Sequence, residues 1–391
     1  MLNRARRLLI ATLTASTALA PAAPALAAPA VAAAGTSAPA KAPVVKAAVV
    51  KVPDLTGDGL VLGSDGKLWG LGSTRQAKPL LVALRPSRLS ISEHRLPAAV
   101  PHGSIQYPGP TAADNAGHIW LTAMITKGQA QQDVIYRFSV RTGAPSRLNV
   151  PRSCLTQSVD SPDGLYRSAD GHIWLTCSNK TSGLSEAVRY TPAGKVTATV
   201  VNTSQEASFL GPLAPGPHGS MWAVSGSFSG SNGIDEITAT GKETFFPESS
   251  DIVFVELAGN GSKIIAVTSL NNSKGQLVSC YFQVEPNGKL RRIAVAPNYQ
   301  GYNFHLVSTP AFDAHANLWQ FMTGRADGHA VNDEYFYEIG SKNKTQVLAF
   351  RLPKPWSNTS VSAAPPPVIA DGSIWLDIFQ PVNGILRIKL K

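Results

Sequence analysis

The sequence predicts an all-β fold, a seven-bladed β-propeller of four-stranded antiparallel blades. Three features predict it. A glycine-containing step followed by an apolar run with Trp recurs as Asp65-Gly66-Lys67-Leu68-Trp69, Ala116-Gly117-His118-Ile119-Trp120, Asp170-Gly171-His172-Ile173-Trp174, His218-Gly219-Ser220-Met221-Trp222, His315-Ala316-Asn317-Leu318-Trp319 and Asp371-Gly372-Ser373-Ile374-Trp375. A degenerate copy, Asn260-Gly261-Ser262-Lys263-Ile264-Ile265, fills the one wide gap, so the steps are 51, 54, 48, 43, 54 and 56 residues. Seven copies at a period near 50 define a repeat architecture. The second feature is a hairpin after several copies, and the third is a last copy that runs out one strand short.

Each blade follows from its residues. Asp-Gly and Asn-Gly are strong hairpin signals, because glycine adopts positive φ at no steric cost. The alternation after the step, as in Ile173, Trp174, Leu175, Thr176 and Cys177, reads as a strand. Small residues precede the step, as in 212–215 and 365–370, and suit a crowded strand near an axis. The outer hairpins read as 187–190 joined to 196–201 through Pro192-Ala193-Gly194-Lys195, and 134–140 joined to 146–150 through Arg141-Thr142-Gly143. Two more are 233–237 with 244–246, turning at Thr240-Gly241-Lys242, and 278–284 with 290–295, turning at Pro286-Asn287-Gly288-Lys289. The recurrent Trp reads as a wedge between neighbouring blades, burying about 150–250 Å² apiece. Stacking of a ligand on exposed indoles is the less economical alternative.

The last repeat ends after three strands at Ile385-Leu386-Arg387-Ile388-Lys389-Leu390. The β-prone run 44–52 stands ahead of the first repeat, and is expected to supply the fourth strand of the last blade and close the ring. Residues 45–391 are therefore assigned to the propeller.

Residues 1–27 read as an export signal. Arg4, Arg6 and Arg7 form a basic start, 8–19 an apolar stretch, and Ala25-Leu26-Ala27 a cleavage site. Residues 28–44 are an Ala/Pro-rich spacer unable to build a core. A secreted or extracytoplasmic location is expected, with no transmembrane segment. The formal charge is +10, of which the leader holds three arginines and no acid. Basic residues are scattered rather than interleaved with aromatics, so nucleic acid is not an expected partner. Cys154 and Cys177 lie in one repeat, and in an oxidising compartment they are expected to pair, leaving Cys280 free.

Two blade-to-blade links are longer than a turn requires. The link 101–110 carries His102 and Tyr107, and 298–310 carries Tyr299, Tyr302 and His305. Links of this kind fall on one face, around the mouth of the axial channel, and loops on rigid scaffolds carry function. These five residues are the candidate ligand-binding set, although the aromatics would also serve simply to pin their loops. His118, His172, His218 and His315 fall in the inner turns of the opposite face and read as solvated turn residues. His94 and His329 have no sequence partner, and no histidine has metal-ligand spacing, so no catalytic or metal residue is assigned.

The small-residue strand, the D-G-x-I-W-[LF]-T step and the R-[FY]-x-x-x-G-x hairpin together resemble the virginiamycin B lyase (streptogramin lyase) family of seven-bladed propellers. Residues 116–122 and 170–176 match best. The resemblance implies a magnesium-dependent, non-hydrolytic opening of an ester-linked cyclic peptide, using a histidine base and a Glu-x-His pair about ten residues before the blade Trp. The residues ten before each Trp or its equivalent here are Gly59, Pro110, Gly164, Pro212, Val255, Thr309 and Pro365, and no Glu-x-His occurs in the chain. The expected function is therefore a binding or interaction module acting through the face of links 101–110 and 298–310. The partner would be a protein, a peptide or an envelope polymer, and the chain monomeric. The alternative is a lyase of the streptogramin lyase type with a relocated active site, and magnesium would be a cofactor only then. Recognition of an anionic glycan is a third reading.

Overall fold

The computed structural model describes residues 44–52, 55–107, 111–128, 130–155, 164–201, 209–210, 212–226, 232–248, 253–271, 277–296, 302–306, 308–326, 332–350, 366–378 and 384–390. They form seven antiparallel sheets in a ring, a seven-bladed β-propeller. In blade one the strands Leu55–Leu62, Leu68–Ser73, Pro79–Arg85 and Ser90–Arg95 lie side by side in chain order. The other blades repeat this order, and their strands are lettered A to D from the axis outward. The degenerate copy is a full blade, with strands Val253–Gly259, Ile264–Asn271, Leu277–Val284 and Leu290–Val295.

The recurrent Trp residues are the wedges between blades. All six are at most 3% exposed. Trp69 packs with Ile105, Ile119 and Phe138 of blade two, Trp120 with Leu165 and Ile173 of blade three, and Trp174 with Leu213 and Met221 of blade four. Trp222 meets Leu257 and Ile264, Trp319 meets Ile374 and Leu376, and Trp375 returns to Leu60, Leu68 and Leu80 of blade one. At about 25 cal/mol per Å², each buried indole contributes roughly 4–6 kcal/mol before entropy is set against it.

The ring closes as the sequence predicts. Ala47–Lys51 lies antiparallel to Gly384–Lys389, with Ala47 opposite Ile388 and Lys51 opposite Gly384, as the outer strand of blade seven. The preceding pair goes elsewhere: Val44 and Val45 run parallel to the outer strand of blade six, opposite Ala349 and Phe350. One short segment thus fastens two blades, and both Val45 and Val52 are buried.

The links 101–110 and 298–310 are not plain loops, which corrects the sequence reading. Gly103–Gln106 and Tyr302–Leu306 are strands, each paired to the far end of its blade's B strand. The A strand is consequently in two pieces in four blades: Gly103–Gln106 with Thr111–Ala113, Cys154–Leu155 with Gly164–Arg167, Phe209–Leu210 with Ala214–Pro215, and Tyr302–Leu306 with Ala311–Phe312. B strands as long as His118–Lys127 and Leu318–Ala326 outrun a short inner strand, and their exposed N–H and C=O groups need a partner. The link supplies it. The sulfurs of Cys154 and Cys177 are bonded, tying the upper piece of blade three's A strand to its B strand.

Candidate functional site

The two faces of the ring are built differently. On one face lie the A–B turns, wired by their own side chains. The fully buried Asp114 carboxylate accepts the backbone N–H groups of Ala116 and His118 and the Trp120 indole N–H, each at 2.9 Å, and His118 Nδ1 lies 2.9 Å away. Asp313 repeats this in blade six, accepting from His315 N–H (2.8 Å), Asn317 N–H (2.9 Å) and Trp319 Nε1 (3.0 Å). In blade one the role passes to Asp65, which accepts from Trp69 Nε1 at 3.0 Å and pairs with Lys67 at 3.1 Å. In blade three Asp170 takes Arg189 at 2.5 Å, with the Ser168 hydroxyl and His172 beside it. Burial pushes the Asp170 carboxyl up, but the bonds from Ser168, His172 and Arg189 outweigh it and hold it below the usual carboxylate range.

Neighbouring A–B turns also nest. Gly171, at φ 82°, leaves a space that a Cβ would contest with Asn115 of blade two at 2.5 Å. Of the four histidines expected in these turns, His218 and His315 are exposed, whereas His118 and His172 are half-buried against Asp114 and Asp170.

The opposite face carries the B–C turns and the links. Here Val100 and Gly103 close a hairpin with His102 at its tip, exposed and at φ 61°. A non-glycine residue in that region stores backbone strain of order 1–3 kcal/mol, which the surrounding structure must hold. The hairpin is braced from below. Tyr107 is half-buried, donates its hydroxyl to the Pro97 carbonyl at 2.9 Å and lies 5.8 Å from the Tyr136 ring. Burial and the neighbouring Tyr136 hold the Tyr107 phenol well above its ordinary range. Tyr107 therefore pins the link.

Tyr302 and His305 stand on blade six, opposite Ala326 and Thr323 in register. Tyr299 lies outside the described residues. The structure thus brings His102 and Tyr107 to one hairpin, and leaves Tyr302 and His305 on another blade of the same face.

Two groups carried no sequence signal as sites. His94 packs 5.1 Å from Trp69 and 5.4 Å from Phe138 at the seam of blades one and two, and Ser92 Oγ lies 3.3 Å from its Nε2. Burial and the nearby Lys67 lower its pKa, with Asp65 opposing. Asp235 is fully buried on the C strand of blade four, where burial and the neighbouring Glu243 push it up to about 7 against the Ser225 hydroxyl. Its setting, the Ile234-Asp235-Glu236 run of an ordinary strand, offers nothing to flag it.

The positions at which the resembled family keeps its histidine chemistry hold no imidazole or carboxylate of their own: Gly59 donates its backbone N–H to Asp377 at 3.3 Å and Gly164 donates its own to Thr176 Oγ1 at 3.1 Å.

The fold and its turns define a β-propeller with one link-bearing face. No family model matches the chain, and no curated protein matches it. Solved structures do share the fold. An oligogalacturonate lyase in complex with manganese is 12% identical with a TM-score of 0.55, covering 90% of this chain and 99% of that one. The polysaccharide lyase Uly1 is 9% identical with a TM-score of 0.49, covering 85% and 90%. At such identity the likeness is one of fold alone.

Proposed function

We propose that this chain is an exported binding propeller whose ligand face is the one carrying the hairpin of His102 and the strand Tyr302–Leu306. One observation carries the reading. The link face bears extra structure that ring-building does not require: an exposed hairpin tip held up by a half-buried tyrosine. In blades one, two and six the aspartates of the A–B turns on the other face are spent on their own backbone and indoles. In this reading the chain keeps the repeat of the streptogramin-lyase-like propellers without their Glu-x-His, and works as a monomer on a peptide, protein or envelope polymer.

The test is hydrogen exchange on the mature chain, with and without a soluble extract of envelope polymers and proteins. The expected outcome is slowed exchange in 99–106 and 302–306, with no change in the A–B turns. Protection confined to 114–118 and 168–172 would place the ligand on the opposite face and end the reading.

A further inference from the structure

The charges around this hairpin point to the class of ligand, an inference that rests on the face just proposed. Among the described residues of blades one to three, the link face carries at least five exposed cations. Arg75 and Lys78 lie in the B–C turn of blade one, Lys127 at the B–C turn of blade two, Lys180 at that of blade three, and Arg152 in the link between blades two and three. Among the described residues none of the five is in an ion pair.

Contacts in the structure join these turns into one rim. The Lys180 N–H donates to the Ser153 carbonyl at 2.7 Å, which sets Arg152 beside Lys180. A Cβ on Gly103 would fall 2.9 Å from Lys127 Cγ, so the His102 hairpin abuts the Lys127 turn. The Leu96 N–H donates to the Pro79 carbonyl at 3.1 Å, fastening the base of the same link to the turn of Lys78.

Among the described residues, the acids nearby do not neutralise this rim. Glu186, next to Arg152 and Lys180, is fully buried, and its carboxylate is occupied by the Ser153 hydroxyl at 2.8 Å and the Asn179 amide at 2.7 Å. Asp133 is half-buried on the C strand of blade two, and Glu93 lies out on the D strand of blade one. On the A–B face Lys67 is matched by Asp65 and Arg189 by Asp170. Among the described residues its cations without an ion pair are spread singly over the turns, as at Lys263 and Arg167, with Lys342 and Lys344 on an outer C–D turn.

We infer that the rim of blades one to three binds a linear acidic polysaccharide, a chain of sugars bearing carboxylates. Clustered, unpaired cations in a low-acid setting raise the local concentration of a polyanion and hold it by screened Coulomb attraction. Exposed amides and hydroxyls at Gln76, Ser104, Gln106 and Gln131 lie between the cations and match sugar hydroxyls. A single-stranded nucleic acid gains much of its affinity from stacking on aromatic rings. Among the described residues the one Phe, Tyr or Trp of this rim, Tyr107, is half-buried and committed to Pro97.

The experiment is calorimetric titration of the mature chain with polygalacturonate, with neutral dextran and with oligo(dT) as comparisons, in low salt and in about 0.5 M salt. Two double variants carry equal charge changes: Lys127→Glu with Lys180→Glu on the rim, and Lys342→Glu with Lys344→Glu on the outer turns. All four residues are exposed, and circular dichroism verifies the fold.

The expected result is salt-sensitive binding of polygalacturonate alone, weakened about tenfold or more by the rim pair and less than about twofold by the outer pair. Equal weakening by both pairs would reduce the effect to net charge and overturn the inference. Oligo(dT) binding as tightly as polygalacturonate would overturn the polysaccharide assignment. Absence of polygalacturonate binding would overturn it too, while the ligand face itself would still be judged by hydrogen exchange. Loss in the outer pair alone would defeat both the polysaccharide rim and the ligand face.

Discussion

Blades two and three carry the two closest copies of the repeated step, Ala116-Gly117-His118-Ile119-Trp120-Leu121-Thr122 and Asp170-Gly171-His172-Ile173-Trp174-Leu175-Thr176, yet they are held together differently. Blade two relies on one buried carboxylate. Asp114 gathers the turn's backbone N–H groups and the Trp120 indole. In blade three Ser168 stands at the equivalent place, and among the described residues the Trp174 Nε1 has no hydrogen-bond partner. That blade leans instead on the Cys154–Cys177 bond and on Asp170 with Arg189. A repeat motif therefore specifies a shape, here a tight turn and a wedge, and leaves open which bonds hold it.

The largest expected effect removes blade two's single device. Asp114→Ala strands the buried Trp120 indole N–H and takes the acceptor from two part-buried backbone donors, so a loss of about 3 kcal/mol is expected. Ser168→Ala in blade three should cost about 1 kcal/mol. Urea titrations of the two variants decide it, and similar midpoints would erase the contrast between the blades. Of similar size is the disulfide. Cys154→Ser with Cys177→Ser opens a loop spanning 23 residues in sequence and should cost about 3 kcal/mol. A reducing agent should lower the thermal midpoint of the wild type by a matching amount and leave the double variant unchanged.

The glycines give a smaller, two-sided test. Both Gly117 and Gly171 have positive φ, so alanine should cost each about 1–2 kcal/mol. At Gly117 a new Cβ meets Ser64 and Val140 at 3.5 Å, which is ordinary contact. At Gly171 it meets Asn115 at 2.5 Å, so that variant should fall further, and Gly171→Ala combined with Asn115→Ala should recover the excess. No recovery would mean that backbone strain alone accounts for the cost.

The propeller was legible because its signals are local and repeated. The Trp spacing, the Asp-Gly steps and the β-prone run ahead of the first repeat all lie in plain sequence, and the closing strand Ala47–Lys51 follows from counting strands in the last copy. The turn wiring was half-visible. Asp114 and Asp313 stand six residues before their Trp, whereas Asp65, Asp170 and Asp371 stand four before theirs. Aligning the copies on the Asp-Gly step hides the first pair. The strands inside the links 101–110 and 298–310 were not legible, because their pairing depends on how far a B strand outruns its partner. Of the candidate residues, Tyr107 proved to be the pin of its link, and His102 the tip that it supports. The unpaired rim of Arg75, Lys127 and Lys180 was hidden for a related reason. Its members are about 50 residues apart in sequence and meet only when blades stack.

The smallest expected effect is in acid, and it belongs to blade three. Asp170 is held below the ordinary carboxylate range, so its charged form favours the folded state. That contribution is present above the unfolded value of 3.8 and is lost as the pH falls through the lower, folded value. Asp170→Asn should therefore flatten the acid limb of the stability curve below about pH 4, and change stability near neutrality only modestly, since the carboxylate is a third exposed. Arg189→Gln should flatten the same limb less, because the bonds from Ser168 and the His172 backbone remain. If Arg189→Gln matched Asp170→Asn in acid, the ion pair alone would be holding the turn. Blade three's turn would then rest on one charged contact in place of a shared network.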